Sequence, residues 1–161
     1  MKDKYYLRDL IFDDLEAVTR WNYNPQVAQY LPPRPALDMQ NQIQWIKQRL
    51  IDSSKVSKII MNGNSMVGMV TGFNFDHENH WCEVGISIGE PVYWGSGISR
   101  FAINDLNRCL IEKWNVKYTF CRVFPENQRA LSFFKKLGYC ETSSKIFNVP
   151  AEGFVFLIKE L

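Results

Sequence analysis

A run of small residues near the middle of the chain has the composition of a phosphate-binding turn. It joins a strand-like segment, 82–88, to a helix-like segment that begins at Gly97. A turn of this kind exposes backbone N–H groups at a helix N-terminus, where a phosphate or pyrophosphate can accept hydrogen bonds. Two glycines also occur in strand-to-helix turns for conformational reasons alone, so the assignment needs a second feature. The run consists of Tyr93, Trp94, Gly95, Ser96, Gly97, Ile98 and Ser99.

The second feature is a helix-like segment between residues 127 and 139. Asn127 can cap this helix, and Gly138 stands where a C-terminal glycine usually ends one. The apolar residues between them recur at helical spacing and therefore share a face. That face consists of Ala130, Phe133, Phe134 and Leu137.

Alternation and turn residues predict the strands that position these segments. A polar turn at 62–65 indicates a hairpin, and the helix from 97 to 113 can act as a right-handed crossover between parallel strands. Hairpins joined to such a unit favour an α/β (α+β) fold with a mixed sheet, not a doubly wound parallel one. The predicted strands span 4–10, 58–61, 66–75, 81–88, 118–123, 146–149 and 154–158.

Capping residues predict the helices of the first half. Asp13 and Glu16 have the spacing of a capping box, and Asp38 can cap a second, longer helix. Pro25 and Pro32–Pro33 interrupt the chain between the two helices. The second helix is expected to bury one face, formed by Met39, Ile43, Ile46 and Leu50.

Length and composition favour one domain, residues 1–161, with a sizeable core. The formal net charge of +2 is too small to indicate nucleic acid or a membrane surface as a partner. No segment has the apolar length of a signal peptide or a membrane span, so a cytoplasmic protein is expected. The four cysteines and two histidines lack metal-ligand spacing, so we expect reduced thiols and no metal.

Three segments together resemble the GNAT superfamily of acyl-CoA-dependent N-acetyltransferases, and the resemblance covers nearly the whole chain. The turn at 94–99 is similar to that family's pyrophosphate loop, Q/R-x-x-G-x-G/A, with Gly97 at the first glycine. The segment 127–139 is similar to the family helix N-x-x-A-x-x-x-Y-x-x-x-G-F/Y. The segment 21–30 resembles the acceptor side of the branch with ribosomal-protein N-terminal, polyamine and amino-sugar acetyltransferases.

The resemblance implies a mostly antiparallel sheet of six to seven strands, with helices on both faces and a splayed central pair of parallel strands. It implies acetyl-CoA as co-substrate, with pantetheine inserted between strands 81–88 and 118–123 and pyrophosphate on the turn. Trp94 and Ser99 depart from the family pattern in this turn. The residues implied in binding acetyl-CoA are Ile86, Ser87, Ile88, Trp94, Gly95, Ser96, Gly97, Ile98, Ser99, Asn127, Phe133 and Phe134.

The implied reaction is direct transfer of an acetyl group to a primary amine in a ternary complex. An amine with a pKa near ~10 is mostly ammonium at neutral pH, so a base or a water relay helps. The resemblance points to Glu83 as that base or as the anchor of the relay. Strand alternation places Glu83 on the same face as Gly85 and Ser87. The alternative is that Glu83 orients the substrate ammonium or forms an ordinary ion pair.

The leaving thiolate has no obvious general acid. The tyrosine that the family often uses falls at Phe134, which has no proton to donate, and neither Ser132 nor Tyr139 stands at the matching position. A CoA thiolate is a tolerable leaving group, so backbone dipoles and solvent can suffice. The departure keeps a second interpretation open, a non-enzymatic acyl-CoA-binding or sensor domain of the same fold.

The acceptor amine stays open at this point. A small-molecule amine, such as a polyamine or an amino sugar, and a peptide N-terminus are about equally compatible with the sequence. Trp21 and Tyr30 are candidates for the acceptor pocket beside Glu83, with the apolar face of a helix as the equal alternative. Cys121 lies in an apolar strand without a nearby base and is interpreted as core packing. A homodimer through the last strands is possible by analogy.

Overall fold

A computed structural model describes residues 4–31 and 38–161, so the predicted interruption at Pro32–Pro33 lies outside the described residues. Seven strands form one sheet in the order β1-β2-β3-β4-β5-β7-β6. The parallel pair is β4 with β5, and β1–β2, β5–β7 and β6–β7 are antiparallel, which confirms the predicted mixed sheet. The strands are β1 (Tyr5–Asp9), β2 (Val56–Asn62), β3 (Ser65–Asp76), β4 (Trp81–Ile88), β5 (Tyr118–Val123), β6 (Cys140–Thr142) and β7 (Val155–Glu160).

The helices begin close to the predicted capping residues. The Asp38 side chain accepts the Asn41 N–H at 2.9 Å, and the Asn127 side chain accepts the Ala130 N–H at 3.2 Å. Within the described residues, no helix is both long and apolar enough to cross a membrane. The helices are α1 (Leu15–Tyr23), α2 (Pro25–Ala28), α3 (Met39–Ile51), α4 (Ile98–Trp114) and α5 (Gln128–Lys136), with 3₁₀ turns at Phe12–Asp14, Pro91–Tyr93 and Ser144–Ile146.

The chain divides into two compact units, one of Met1–Thr71 with Ile86–Leu106 and one of Gly72–Gly85 with Asn107–Leu161. In the first unit, α1 and α3 bury apolar side chains against β2. In the second unit, aromatic rings of β5, β7 and the segment before β7 stack on one another. The first core contains Leu10, Ala17, Val18, Trp21, Ile46, Ile59 and Met61, and the second contains Phe120, Phe147 and Phe156.

The backbone pairing of β4 with β5 stops before either strand ends. Its backbone register runs from Trp81 with Tyr118 to Glu83 with Phe120 and stops there. Both strands nevertheless continue, β4 to Ile88 and β5 to Val123. The backbone ladder of this pair therefore ends at Glu83, the residue that the sequence singles out for chemistry.

The predicted capping box, with Asp13 as N-cap, is wrong: Asp14 stands at the N-cap of α1, and its side chain makes no capping bond to the helix. Asp14, not Asp13, accepts the Ile11 N–H at 2.9 Å, and it also receives both terminal nitrogens of Arg8, at 2.7 and 2.8 Å. A 3₁₀ turn over Phe12–Asp14 precedes α1, so the helix begins at Leu15. The ion pair with Arg8 on β1 therefore explains why Asp14, and not Asp13, is buried.

Asp14 gives a prediction about stability and pH. Burial alone raises the pKa of Asp14, but the hydrogen bonds from Arg8 and from the Ile11 N–H outweigh it, so the pKa lies below its usual value. The ionised Asp14 carboxylate therefore contributes to the free energy of unfolding. This contribution is fully present above the unfolded pKa of about 3.9 and disappears as pH falls through the lower folded pKa. We expect Asp14→Asn to lower the free energy of unfolding by about 1–3 kcal/mol at pH 7. Denaturant titrations at pH 7 and below pH 3 measure it, and a difference that grows towards acid would contradict it.

The predicted buried face of α3 is also wrong in part. Ile46 is fully buried, whereas Met39 is 69% exposed and Leu50 is 42% exposed. The buried polar residue Gln42 takes the place of Met39 because its amide donates to the Tyr23 hydroxyl at 2.9 Å. The hydrogen bond between α1 and α3 thus favours burial of the face that contains Gln42 and Ile46, and the apolar residues Met39 and Leu50 remain exposed.

The predicted closing strand at 146–149 does not form. A 3₁₀ turn ends at Ile146, and Phe147 leaves the turn to stack on Phe120 with ring centroids 4.0 Å apart. Besides β5, β7 pairs instead with β6, a strand of three residues that follows α5 in the sequence. Phe147 and Val149, which periodicity alone assigns to a strand, pack instead in or against the aromatic core.

Gly68 on β3 determines how closely β4 approaches. A Cβ at Gly68 would lie 2.2 Å from the Ser87 carbonyl oxygen and 2.9 Å from the Ile88 Cα, both backbone atoms. We expect Gly68→Ala to lower the free energy of unfolding by about 1–3 kcal/mol because β4 must shift. Gly85→Ala is the control, since a Cβ there would be 3.5 Å from the nearest side-chain atom. Equal stability of the two variants in denaturant titrations would contradict this account.

Candidate functional site

The glycine turn has the backbone geometry of an anion-binding site. Gly95 has φ +76° and Gly97 has φ +88°, conformations that glycine adopts without strain. A Cβ at either position would meet no atom within 4 Å, so the space above the turn is open. The first hydrogen bond of α4 runs from the Phe101 N–H to the Gly97 carbonyl at 3.2 Å. The N–H groups of Ser99 and Arg100 precede that bond and are therefore available to a ligand.

Trp94 and Ser96 hold the turn in place. The Trp94 indole N–H donates to the Ile88 carbonyl at 3.1 Å, which ties the turn to the end of β4. The Ser96 hydroxyl donates to the Tyr93 carbonyl at 2.6 Å and lies 3.4 Å from the Ile98 N–H. Trp94, which departs from the family pattern, therefore stabilises the turn. The Ile88 carbonyl already accepts this one hydrogen bond.

Glu83 lies buried in an ion pair with Arg122. Its side chain is 5% exposed and that of Arg122 is 17% exposed. Arg122 Nε donates to Glu83 Oε1 at 2.8 Å, and Arg122 Nη2 donates to Oε2 at 3.1 Å. The Asn74 amide donates to Oε2 at 2.8 Å. The carboxylate is thus fixed in orientation by three donors.

These contacts leave Glu83 with limited capacity to accept another hydrogen bond. An ionised carboxylate offers about four lone-pair sites, two on each oxygen. Oε2 receives Asn74 and Arg122, whereas Oε1 receives Arg122 alone. One acceptor position therefore remains on Oε1, enough for one water or one ammonium.

Sequence reasoning missed both partners of Glu83. Arg122 is the single charged residue of β5, a strand with buried residues on both sides of it, and a lone charge of this kind signals a buried partner. Asn74 has φ +49° inside β3, a conformation that asparagine tolerates better than most residues. The pattern gives no indication that either one reaches Glu83, because that depends on strand register.

The structure places the two predicted acceptor residues differently. Trp21 is 3% exposed, its indole N–H donates to Glu90 Oε1 at 2.8 Å, and its ring lies directly against Gly89. A Cβ at Gly89 would be 2.1 Å from the Trp21 ring. Tyr30 is half-buried in a turn after α2. The contacts of Trp21 are those of a core residue, and an acceptor role for either residue stays a prediction.

The predicted cofactor residues of α5 have clear structural tasks. Asn127 caps the helix through its side-chain oxygen, as described above. Phe134 is 4% exposed and meets the rings of Phe133 and Tyr139 edge to face, each with a centroid distance of 5.1 Å. Phe133 is half-buried. Their proposed contacts with acetyl-CoA stay predictions.

Tyr139 is excluded as a ready proton donor by its surroundings. Its hydroxyl lies 2.7 Å from Thr119 Oγ1 and accepts the Asn107 amide at 3.3 Å, all within the buried interior. Burial, only partly offset by these hydrogen bonds, raises the pKa of Tyr139 to about 12. Ser132 is exposed on α5. The Tyr139 hydroxyl therefore does not replace the one that Phe134 lacks.

The buried cysteines are poor nucleophiles. Burial, with a smaller contribution from the nearby Glu83 charge, raises the pKa of Cys82 to about 12. The same two causes raise the pKa of Cys121 well above its usual value. A thiol in this state is protonated at neutral pH, and the thiolate is the nucleophilic form. The interpretation of Cys121 as core packing is consistent with these surroundings.

A comparison with protein families finds a match over most of the chain. The family described as "Acetyltransferase (GNAT) domain" matches residues 4–139. Among curated proteins, an N-acetyltransferase 9-like protein from Nematostella vectensis is 26% identical over 141 residues, which are 80% of this chain and 71% of that protein.

Solved structures share the fold at low sequence identity. A domain from Methanocaldococcus jannaschii is 22% identical, with a TM-score of 0.78 and 98% of each chain covered. The spermidine N-acetyltransferase from Vibrio cholerae, solved in complex with CoA and spermine, is 18% identical, with a TM-score of 0.80. The match covers 96% of this chain and 93% of the Vibrio chain. At sequence identities this low, the similarity to these structures shows a shared fold and nothing more.

Proposed function

This chain belongs to the GNAT acetyltransferase family, and from that premise we propose that it transfers the acetyl group of acetyl-CoA directly to a primary amine. The observation that carries the proposal is strand β4. Its backbone pairing with β5 ends at Glu83, a buried carboxylate with one acceptor position left, and the strand continues through the predicted pantetheine residues Ile86–Ile88. One strand therefore carries a group that can accept a proton and a backbone edge for the acyl donor.

The residues of the glycine turn fit the pyrophosphate of acetyl-CoA. The open space at Gly95 and Gly97 and the N–H groups at the start of α4 suit a bulky anion, and the N-terminal end of the helix dipole favours negative charge. The backbone groups of Ile86 would hold a pantetheine amide, whereas the Ser87 carbonyl lies against Gly68 of β3, on the other edge of β4. When bound, acetyl-CoA supplies an acyl thioester, which an amine can attack.

Glu83 is proposed to anchor removal of the ammonium proton. The acceptor nitrogen must lose its proton to have a lone pair for attack. The remaining position on Oε1 can receive that proton directly or hold the water that takes it. Because Arg122 and Asn74 occupy the other positions, the direction of approach is fixed.

The leaving thiolate is proposed to depart without a side-chain acid. Phe134 carries no hydroxyl, and the Tyr139 hydroxyl is committed to Thr119 and Asn107. Backbone dipoles and solvent protonation are then sufficient, because a thiolate is a comparatively stable anion. The same absence of a hydroxyl favours the second candidate, a domain that binds acyl-CoA without transferring the acyl group.

The acceptor is proposed to be a primary amine of a small molecule, such as a polyamine or an amino sugar, or the N-terminus of a peptide. The spermidine acetyltransferase among the structural neighbours supports including polyamines, and the family match supports the wider set.

A panel of amines tests the function and separates it from the alternative. The protein is incubated with acetyl-CoA and, in turn, spermidine, glucosamine, an aminoglycoside and a peptide with a free N-terminus, and the released CoA thiol is followed. Thiol release that depends on one class of amine supports the transferase. Calorimetric binding of acetyl-CoA without release on any amine supports the sensor.

A further inference from the structure

We propose that Arg122 is a positioning residue that sets the direction of the Glu83 carboxylate and ties it to the segment before β7. The inference rests on the proposed function, because it concerns the proton-accepting group of that reaction. It is carried by the contacts of one guanidinium within the second unit.

The guanidinium bridges the two parallel strands beyond the last backbone pair. Glu83 pairs with Phe120 in the register, and Arg122 lies two residues further along β5, so the three side chains share a face of the sheet. The bidentate ion pair therefore links β4 and β5 beyond the end of their backbone pairing. A planar fork can fix both carboxylate oxygens at once, which a lysine cannot do.

The same guanidinium also contacts the segment that precedes β7. Arg122 Nη1 donates to the Pro150 carbonyl at 2.9 Å, and the guanidinium carbon lies 5.2 Å from the centre of the Phe154 ring. The segment is anchored elsewhere by Phe147, which is 7% exposed in the aromatic core. A displacement of residues 150–154 would therefore pull on the group that orients Glu83.

Because Glu83 and Arg122 are both largely buried, the orientation of the Glu83 carboxylate matters for the proposed reaction. With Asn74 on Oε2, the open position on Oε1 has one direction, and Arg122 defines it. A carboxylate that rotates about its last bond would offer this position elsewhere. Misplacing a reacting group by about 1 Å can cost about 10²-fold in rate without weakening the binding of the other substrate.

Arg122→Lys tests the inference because it keeps the charge and removes the fork. We expect kcat to fall by about 10–10²-fold, with acetyl-CoA affinity by calorimetry within about twofold of the natural protein. We also expect the double variant with Glu83→Gln to be no slower than Glu83→Gln alone, because both changes remove one function. Arg20→Lys is the matched control, since Arg20 pairs with Glu90 through a side chain that is 64% exposed. Its kcat should be unchanged.

Two kinetic results would overturn the inference while leaving the transferase intact. One is a kcat for Arg122→Lys equal to that of Arg20→Lys. The other is a double variant whose defects multiply, which shows that Arg122 and Glu83 act independently.

Hydrogen exchange keeps the test independent of turnover. If the natural protein acetylates no amine, the proposed function fails. Exchange at residues 147–154 then still decides whether Arg122 links Glu83 to the segment before β7. Faster exchange there in both Arg122→Lys and Glu83→Gln supports the link. Exchange that is unchanged in Glu83→Gln overturns it, because the carboxylate then has no part in holding the segment.

Discussion

Glu83→Gln is expected to lower turnover by about 10²–10⁴-fold while leaving the affinity for acetyl-CoA unchanged. The amide keeps the size of the side chain but loses the basic oxygen that accepts the ammonium proton. Raising the pH should partly rescue the variant, because more of the amine is then neutral before it binds. Steady-state kinetics against pH, with acetyl-CoA saturating, measures both effects.

Loss of a buried ion pair also destabilises the fold, so the comparison needs a matched control. Asp14→Asn removes the carboxylate of another bidentate pair, with Arg8, and Asp14 is also nearly fully buried. We expect Asp14→Asn to unfold more easily but to keep its kcat below its unfolding temperature. If Glu83→Gln retains most of its turnover and raises only the KM for the amine, Glu83 binds the acceptor and is not the base.

Gly97→Val is expected to weaken acetyl-CoA binding by about 10²–10⁴-fold. The substituted side chain would fill the open space above the turn, where nothing now lies within 4 Å of a Cβ. It would also force a β-branched residue into φ +88°, which strains the turn and moves its N–H groups. Losing two hydrogen bonds to a charged group, at about 1.5–3 kcal/mol each, gives this range.

Gly63→Val is the control for the effect of strain alone. Gly63 has φ +57° in the β2–β3 hairpin and is equally open, yet it has no part in the proposed site. Both variants should lose some stability, and only Gly97→Val should lose affinity in calorimetric titration. Unchanged affinity in a folded Gly97→Val protein would remove the pyrophosphate assignment.

The elements that position the site were predictable because their signals are local. Alternation predicts the strand at 118–123 with its observed bounds, and Asp38 and Asn127 both cap helices as expected. Gly138 ends α5 with φ +94°, the conformation that a C-terminal glycine supplies. Periodicity and capping depend on residues a few positions apart, which a single sequence displays in full.

The misplaced features depend on contacts between distant parts of the chain. Asp14 replaces Asp13 because Arg8 reaches it from β1, and Gln42 is buried because Tyr23 accepts its amide. The bidentate pair of Arg122 with Glu83 follows from strand register, because Arg122 lies two residues beyond the last residue of β5 that pairs with β4. No pattern in one sequence encodes that register, so the candidate base was identified without the groups that hold it.

The most direct test of acetyl transfer is a count of products in one reaction. The protein is incubated with acetyl-CoA and the amine that gives most thiol release, and mass spectrometry measures the acetylated amine, the free CoA and the protein. Direct transfer predicts equal amounts of acetylated amine and CoA, with no acetyl group left on the protein. Acetyl-CoA that stays bound and intact with every amine, or an acetyl group that accumulates on the protein, would contradict it.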